Sequence, residues 1–144
     1  MINITCEKRY ALRAVFELAK REGTGPVKGA DIARAQAIPV RFLEVILNKL
    51  KRIGLVKTKR GYQGGYTLGR SPHEITVESV FEPLGKSSFT DNSMYCNEKK
   101  RCPFPEECAF SPMWEKVITS INEIFQRTTI QDLLDGAETA VSMN

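Results

Sequence analysis

The pattern of apolar positions predicts a mainly helical chain interrupted by one β-hairpin. Apolar residues recur at helical spacing over 7–20, 28–36 and 40–53, and again over 75–84 and from residue 112 onward. Between the third and fourth of these segments, residues 56–60 and 66–68 have the composition of strands, and 61–65 contains three glycines. The predicted order is therefore three helices, a hairpin, a short helix and a long C-terminal helix.

The helix predicted over 40–53 has one apolar stripe and one polar, basic face. Leu43, Ile46, Leu47 and Leu50 fall on the stripe, and Arg41, Val45, Asn48 and Arg52 fall opposite it. Two short helices, a turn at Pro39 and a helix with a basic outer face are typical of a helix-turn-helix. A generic three-helix bundle would have the same stripe. The hairpin that follows favours the winged form of the helix-turn-helix.

The charge of the chain is concentrated in the same region. The 144 residues carry a net charge of only +4, whereas positions 41–60 contain seven basic residues and one acidic residue, a local net charge of +6. A clustered basic face in a weakly basic protein indicates nucleic-acid binding. The competing interpretation is an ordinary solvated surface.

Three of the four cysteines form a second cluster, Cys96, Cys102 and Cys108, with five residues between neighbours. A straight helix would separate such positions by about 9 Å and about 240°. Pro103 and Pro105 also interrupt a helix, so the segment is predicted to be a loop that can gather thiolates around a metal or iron–sulfur centre. A zinc site and a disulfide remain alternatives for these cysteines. Zinc ligands are usually spaced more closely than this.

Catalysis is not expected from the residues present. The chain has no Cys-x-x-Cys pair, and His73, its single histidine, lies in a polar connector without an obvious partner. A thiol oxidoreductase is therefore the least favoured class. The polar N-terminus does not have the pattern of a signal peptide, and no apolar run is long enough to span a membrane, so a cytoplasmic location is predicted.

The C-terminal part is predicted to carry a dimerisation helix, because its apolar face exceeds what the remaining chain can cover. Domain boundaries follow from these segments: a winged helix-turn-helix over 1–84, a cysteine-rich loop over 85–111, the dimerisation helix and extension over 112–135, and a disordered tail over 136–144. The predicted dimer contacts are Trp114, Val117, Ile118, Ile121, Ile124 and Phe125.

Several of these stretches together resemble the IscR/NsrR-type family of winged-helix regulators that carry iron–sulfur clusters. The resemblance runs in order through residues 10–14, 38–44, 54–56 and 60–68, the cysteine loop and Trp114, and covers about 1–135. It implies a homodimer that binds a double-stranded DNA operator. It also implies that a cluster sensing iron, oxygen, nitric oxide or redox state controls binding, with repression the expected mode.

The same resemblance implies roles for individual residues. Arg41, Phe42 and Glu44 match recognition-helix positions, and Arg60 matches an arginine at the base of the wing. The full predicted DNA-binding set is Arg41, Phe42, Glu44, Asn48, Lys59, Arg60, Gly61, Tyr62, Gln63 and Gly64.

Cys96, Cys102 and Cys108 match the three cysteine ligands of the family, with a 2Fe-2S cluster favoured over 4Fe-4S. The fourth ligand departs from the familiar patterns, because Ser111 and Arg9 stand where relatives use a histidine or an acid. Cys6 is the preferred substitute, and a buried thiol without a ligand role is the alternative for it. The other candidates are Glu7, Glu106 and Glu107.

Overall fold

The structure, a computed structural model, describes residues 4–85 and 108–142, with side chains through residue 137. Its elements confirm the mainly helical winged-helix class and the predicted order as far as the long C-terminal helix, after which the chain forms one further helix. They are α1 (Cys6–Lys20), α2 (Gly29–Gln36), α3 (Val40–Arg52), β1 (Val56–Lys59), β2 (Gly65–Leu68), α4 (Val77–Phe81), a 3-10 turn (Glu82–Leu84), α5 (Ser111–Arg127) and α6 (Ile130–Ser142). No helix in the described ranges is long and apolar enough to cross a membrane.

Helix α1 is the central element of the core. It packs against α2, α3, α4, α6 and β2. Ala11, Ala14 and Val15 are fully buried along it, and the small alanines allow neighbouring helices to approach closely. The predicted stripe of α3 is buried as expected, with Leu43, Ile46, Leu47 and Leu50 at most 1% exposed. The apolar periodicity therefore identified the inner face of α3 correctly.

The hairpin has a fixed register and a glycine at its tightest point. Strands β1 and β2 are antiparallel, with Val56 opposite Leu68 and Lys59 opposite Gly65. A Cβ atom on Gly64 would lie 2.1 Å from the carbonyl oxygen of Lys59, so only glycine fits there. Val27 is a third partner of this sheet that the local pattern did not predict: its backbone exchanges hydrogen bonds of 2.9 and 2.8 Å with that of Tyr66.

The helix predicted over 75–84 is shorter in the structure, because its first residues pair with the start of α6. The backbone N–H of Ile130 donates to the carbonyl of Ile75 at 2.8 Å, and that of Val77 donates to Thr128 at 3.0 Å. Helix α4 consequently begins at Val77, behind the cap that the Thr76 hydroxyl provides.

The predicted disordered tail over 136–144 is wrong for residues 136–142, which belong to α6. Two hydrogen bonds cap this helix: the N–H of Asp132 donates to the Thr129 hydroxyl at 3.1 Å, and the N–H of Thr129 donates to the Asp132 carboxylate at 2.9 Å. The bonds from Thr129 lower the pKa of Asp132. Ile130 is fully buried in the core and anchors the helix. The composition of residues 136–144 gave no sign that Ile130 anchors a helix reaching into this segment.

Candidate DNA-binding surface and cysteine site

The turn between α2 and α3 fixes the position of the predicted recognition helix. Helix α2 ends at Gln36, and Ala37 adopts the left-handed conformation with φ 49°. Ile38 is buried and donates its N–H to the carbonyl of Ala33 at 2.9 Å. Pro39 then provides the extended residue that precedes α3. The turn is thus held by a buried side chain and a backbone hydrogen bond.

A polar network on α1 holds the same turn from behind. The Glu17 carboxylate, 3% exposed, accepts hydrogen bonds from the Gln36 side-chain amide at 2.7 Å and from Arg21 at 2.6 Å. Arg13 donates to the backbone carbonyl of Gln36. Burial raises the pKa of Glu17, but the hydrogen bonds from Gln36 and Arg21, with the charge of Arg21, outweigh burial and leave the pKa below its ordinary value.

This network was not predicted from the sequence. A signal existed, because Glu17 stands three residues after Ala14 on the inward side of α1, where a charged residue needs a partner. Its partner Gln36 is 19 residues away, and nothing in the local pattern points to it.

The outer face of α3 is exposed where the sequence placed it. Arg41, Glu44 and Asn48 are exposed, and Phe42 and Val45 are 62% and 53% exposed. The side chains opposite the buried stripe are therefore available to a ligand. The structure brings the predicted recognition-helix residues together on one surface.

Lys49 differs from the other cations of the basic segment. It forms an ion pair with Glu7 of α1, and both side chains are about one-third exposed, 36% and 35%. The other six basic residues between positions 41 and 60 are exposed and form no ion pair within the described parts of the chain: Arg41, Lys51, Arg52, Lys57, Lys59 and Arg60. A nearly uncompensated positive surface follows.

The wing presents most of its predicted residues to solvent. Lys59, Arg60, Gly61 and Gln63 are exposed, and Tyr62 is 91% exposed. Gly64 is buried beneath the turn. The amino group of Lys28, which precedes α2, lies 5.2 Å from the centroid of the Tyr62 ring and braces the wing by a cation–π contact. Lys28 joins the basic surface, although it lies outside the basic segment 41–60.

Two of the four cysteines lie within the described residues. Cys6 is exposed at the first residue of α1, and its sulfur accepts a hydrogen bond from Arg9 at 3.3 Å. It borders a surface cavity of about 390 Å³ that Arg9, Tyr10, Leu12 and Arg13 also line.

Cys108 is half-buried just before α5, and its carbonyl accepts from the N–H of Ser111 at 3.2 Å. Cys96 and Cys102, like Glu106 and Glu107, lie outside the described residues. Within residues 4–85 and 108–142, no three His, Cys, Asp or Glu side chains are grouped to hold a metal ion.

Helix α5 divides its apolar residues between its own chain and solvent. Ile118, predicted as a dimer contact, is instead buried within its own chain, and Phe125 meets the Phe81 ring edge-to-face at 5.3 Å. Trp114, Val117 and Ile121 are half-buried. Ile124 and Met113 are 60% and 48% exposed, as is Phe110 before the helix at 66%. Part of the predicted dimer face is therefore available, and part belongs to the monomer.

Comparisons with known proteins agree with this architecture along almost the whole chain. Residues 4–136 match the Rrf2 family, described as an iron-dependent transcriptional regulator. The HTH-type transcriptional regulator IscR of Pectobacterium carotovorum subsp. carotovorum (strain PC1) is 30% identical over 137 residues, which cover 95% of this chain and 82% of that protein.

Two solved structures share the fold at similar identity. T. potens IscR is 33% identical with a TM-score of 0.77, covering 96% of this chain and 90% of that one. CymR (YrzC), the global cysteine regulator of B. subtilis, is 32% identical with a TM-score of 0.76, covering 92% and 96%. The similar structures thus include an IscR protein and a cysteine regulator.

Proposed function

The chain belongs to the Rrf2 family of DNA-binding transcriptional regulators, and we propose that it is a homodimeric operator-binding repressor whose affinity for DNA is set by an iron–sulfur cluster. Membership makes it a regulator rather than an enzyme. Because such a regulator acts on the chromosome, we place it in the cytoplasm. The observation that carries the proposed DNA binding is the exposed and nearly uncompensated basic surface of α3 and the wing.

We propose that α3 enters the major groove and that the wing contacts the flanking backbone. An α-helix fits the major groove, and exposed arginines and lysines can neutralise phosphates. Arg60→Ala should weaken binding to all sequences and lower the salt slope by about one. Arg41→Ala should instead reduce discrimination between operators by about 1–3 kcal/mol. Titrations at several salt concentrations distinguish the two, and unchanged binding in both variants would contradict this orientation.

The exposed part of the α5 face supports the proposed dimer. Met113 and Ile124, together with half-buried Trp114, Val117 and Ile121, present apolar area that the described chain leaves uncovered. A second copy of α5 can cover it, and two recognition helices can then contact two half-sites.

The sulfur ligands suit an iron–sulfur cluster, with Cys96, Cys102 and Cys108 as three ligands and Cys6 as the proposed fourth, in a 2Fe-2S centre. Thiolates are the usual ligands of such clusters, which supply a redox-active group sensitive to oxidants. The exposure of Cys6 favours this role over that of a buried thiol. Because Cys6 begins α1 and Cys108 precedes α5, ligation would tie the two helices together.

The chain's own contacts provide a route from this site to DNA. Helix α4 packs against both α1 and α5. Phe125 of α5 contacts Phe81 of α4, whose ring also lies 5.8 Å from the amino group of Lys8 on α1. The neighbouring Glu7 pairs with Lys49 of α3. Couplings of about 1–3 kcal/mol are typical between sites and would change operator affinity about 5- to 150-fold.

Anaerobic purification tests the cluster. The wild-type protein should be brown and absorb in the visible range, Cys102→Ala should be colourless, and Cys6→Ser should show an altered spectrum. His73→Ala is the matched control, because this exposed histidine should leave the spectrum unchanged. Wild-type protein that stays colourless after reconstitution with iron and sulfide would refute the cluster.

The second candidate is a regulator controlled through a zinc site or thiol oxidation. Similarity to the cysteine regulator CymR favours it. Metal analysis and thiol counting before and after oxidation distinguish the candidates: a cluster gives iron and sulfide, a zinc site gives zinc, and a disulfide switch gives a change in free thiols alone.

A further inference from the structure

The outer face of α3 is apolar at its centre, although its surroundings are basic. Phe42 and Val45 are 62% and 53% exposed. Val45 lies four residues after Arg41 and three after Phe42, so that these side chains are neighbours on the helix surface. Phe42 and Val45 therefore form a small apolar patch in the first half of α3, which we call the α3 patch.

Chemistry restricts what can cover the α3 patch. Single exposed apolar residues are ordinary. Exposure of adjacent aliphatic and aromatic side chains to water is unfavourable, and a partner that covers them gains binding free energy. Six cations of the same segment, which form no ion pair within the described chain, favour a polyanionic partner: Arg41, Lys51, Arg52, Lys57, Lys59 and Arg60. In the major groove of DNA the thymine C5-methyl group is the apolar feature that such side chains contact.

We infer that Val45 and Phe42 recognise thymine methyl groups, and that the operator carries A·T pairs where the α3 patch meets the major groove. This inference rests on the proposed placement of α3. Beyond that placement, it names thymine as the base that the α3 patch selects and the C5-methyl group as the feature that is contacted. Charged neighbours such as Arg41 then position the helix and contact other base edges.

The expected size of the effect follows from the burial of one methyl group. Removing a methyl from a tight apolar contact should weaken binding about fourfold. Deoxyuridine is thymidine without this methyl, and it keeps the same Watson–Crick pairing. Thymidine-to-deoxyuridine replacement therefore removes the proposed contact and leaves the hydrogen-bonding edge intact.

The experiment begins by selecting duplexes from a random-sequence pool with the anaerobically purified full chain. Each thymidine of the selected sequence is then replaced singly by deoxyuridine, and binding is measured for wild type, Val45→Ala and Phe42→Ala. For the wild type, we expect about fourfold weaker binding at one or two positions in each half-site. In each variant, the effect should disappear at the position that the missing side chain contacts.

The controls isolate the α3 patch from general losses. Ile53→Ala removes an apolar side chain, 37% exposed, immediately beyond the end of α3 and should keep the wild-type deoxyuridine profile. Thermal unfolding of each variant checks that the fold is unchanged, as expected for exposed positions.

The outcomes also separate this inference from the proposed function. If a sequence is selected but no deoxyuridine weakens wild-type binding, or both variants keep the wild-type profile, thymine recognition is refuted and operator binding stands. If Val45→Ala lowers self-association instead, the α3 patch is a subunit interface and the inference fails. If no duplex is selected or bound, operator binding itself is refuted.

Discussion

Replacing Glu17 with glutamine tests the polar network behind the turn between α2 and α3. The substitution keeps the size of the side chain and removes its charge. In the folded chain the carboxylate accepts one hydrogen bond from Gln36 and one from Arg21, at 2.7 and 2.6 Å. After the substitution, the Gln36 amide can still form one neutral hydrogen bond with the side-chain amide at position 17. What is lost is the ionic character of both interactions.

The expected loss of stability is about 1.5 kcal/mol at neutral pH. Hydrogen bonds to charged groups contribute about 1.5–3 kcal/mol and neutral ones about 0.5–1.5, so the Gln36 bond accounts for about 1 kcal/mol. The Arg21 side chain is 38% exposed and can turn to water, so its share is about 0.5 kcal/mol.

This loss should depend on pH in a defined direction. The folded-state pKa of Glu17 lies below the ordinary 4.5, so its ionised form stabilises the fold above that pH. The contribution disappears as pH falls through the folded pKa. The difference in unfolding free energy between wild type and Glu17→Gln should therefore be full at neutral pH and shrink below about pH 4.5.

Urea unfolding followed by far-ultraviolet circular dichroism measures this difference, at one fixed protein concentration because self-association adds to apparent stability. Glu22→Gln is the matched control, since Glu22 is exposed just after α1 and should change stability by less than about 0.5 kcal/mol. A Glu17→Gln effect no larger than this control, or one that persists undiminished in acid, would refute the role assigned to the carboxylate.

Three further predictions concern other parts of the chain. Ile124→Asp should weaken the dimer in analytical ultracentrifugation, because a charge would enter the apolar α5 face, whereas Thr119→Asp at an exposed position should not. Gly64→Ala should distort the wing and lower DNA affinity in titrations while most helical circular dichroism remains, because its Cβ would meet the Lys59 carbonyl at 2.1 Å; unchanged affinity would contradict this geometry. Ile130→Ala should cost about 2–5 kcal/mol in urea unfolding, since the side chain is fully buried, and a cost below about 1 kcal/mol would argue against anchoring of α6 in the core.

Local patterns were sufficient for the elements that form the DNA-binding unit. The 3.6-residue period placed Leu43, Ile46, Leu47 and Leu50 inward, and all four are buried. The glycines between two strand-like segments located the hairpin, and Gly64 is required by its close contact with the chain. These features were predictable because the side chains that define each element lie within a few residues of one another.

The cysteine site was predictable only as a set of residue types. Spacing and resemblance point to Cys96, Cys102 and Cys108. The complete ligand set depends on the distances between sulfur atoms, and these are set by how a loop and two helices pack together. The structure adds that Cys6 is exposed beside Arg9 and that Cys108 lies three residues before the first residue of α5. The identity of the fourth ligand stays a prediction for the spectroscopic experiment.

The sequence by itself determined the order of the elements, the inner and outer faces of α3, the hairpin and the basic surface, because each depends on local periodicity, turn chemistry or charge. Tertiary structure alone decided that Glu17 holds Gln36, that Lys49 pairs with Glu7, and that Ile118 is buried in its own chain. It also decided that α6 continues through Ser142. Two of these outcomes join side chains 19 and 42 residues apart. Such partners meet only when the helices pack, so no local pattern can specify them.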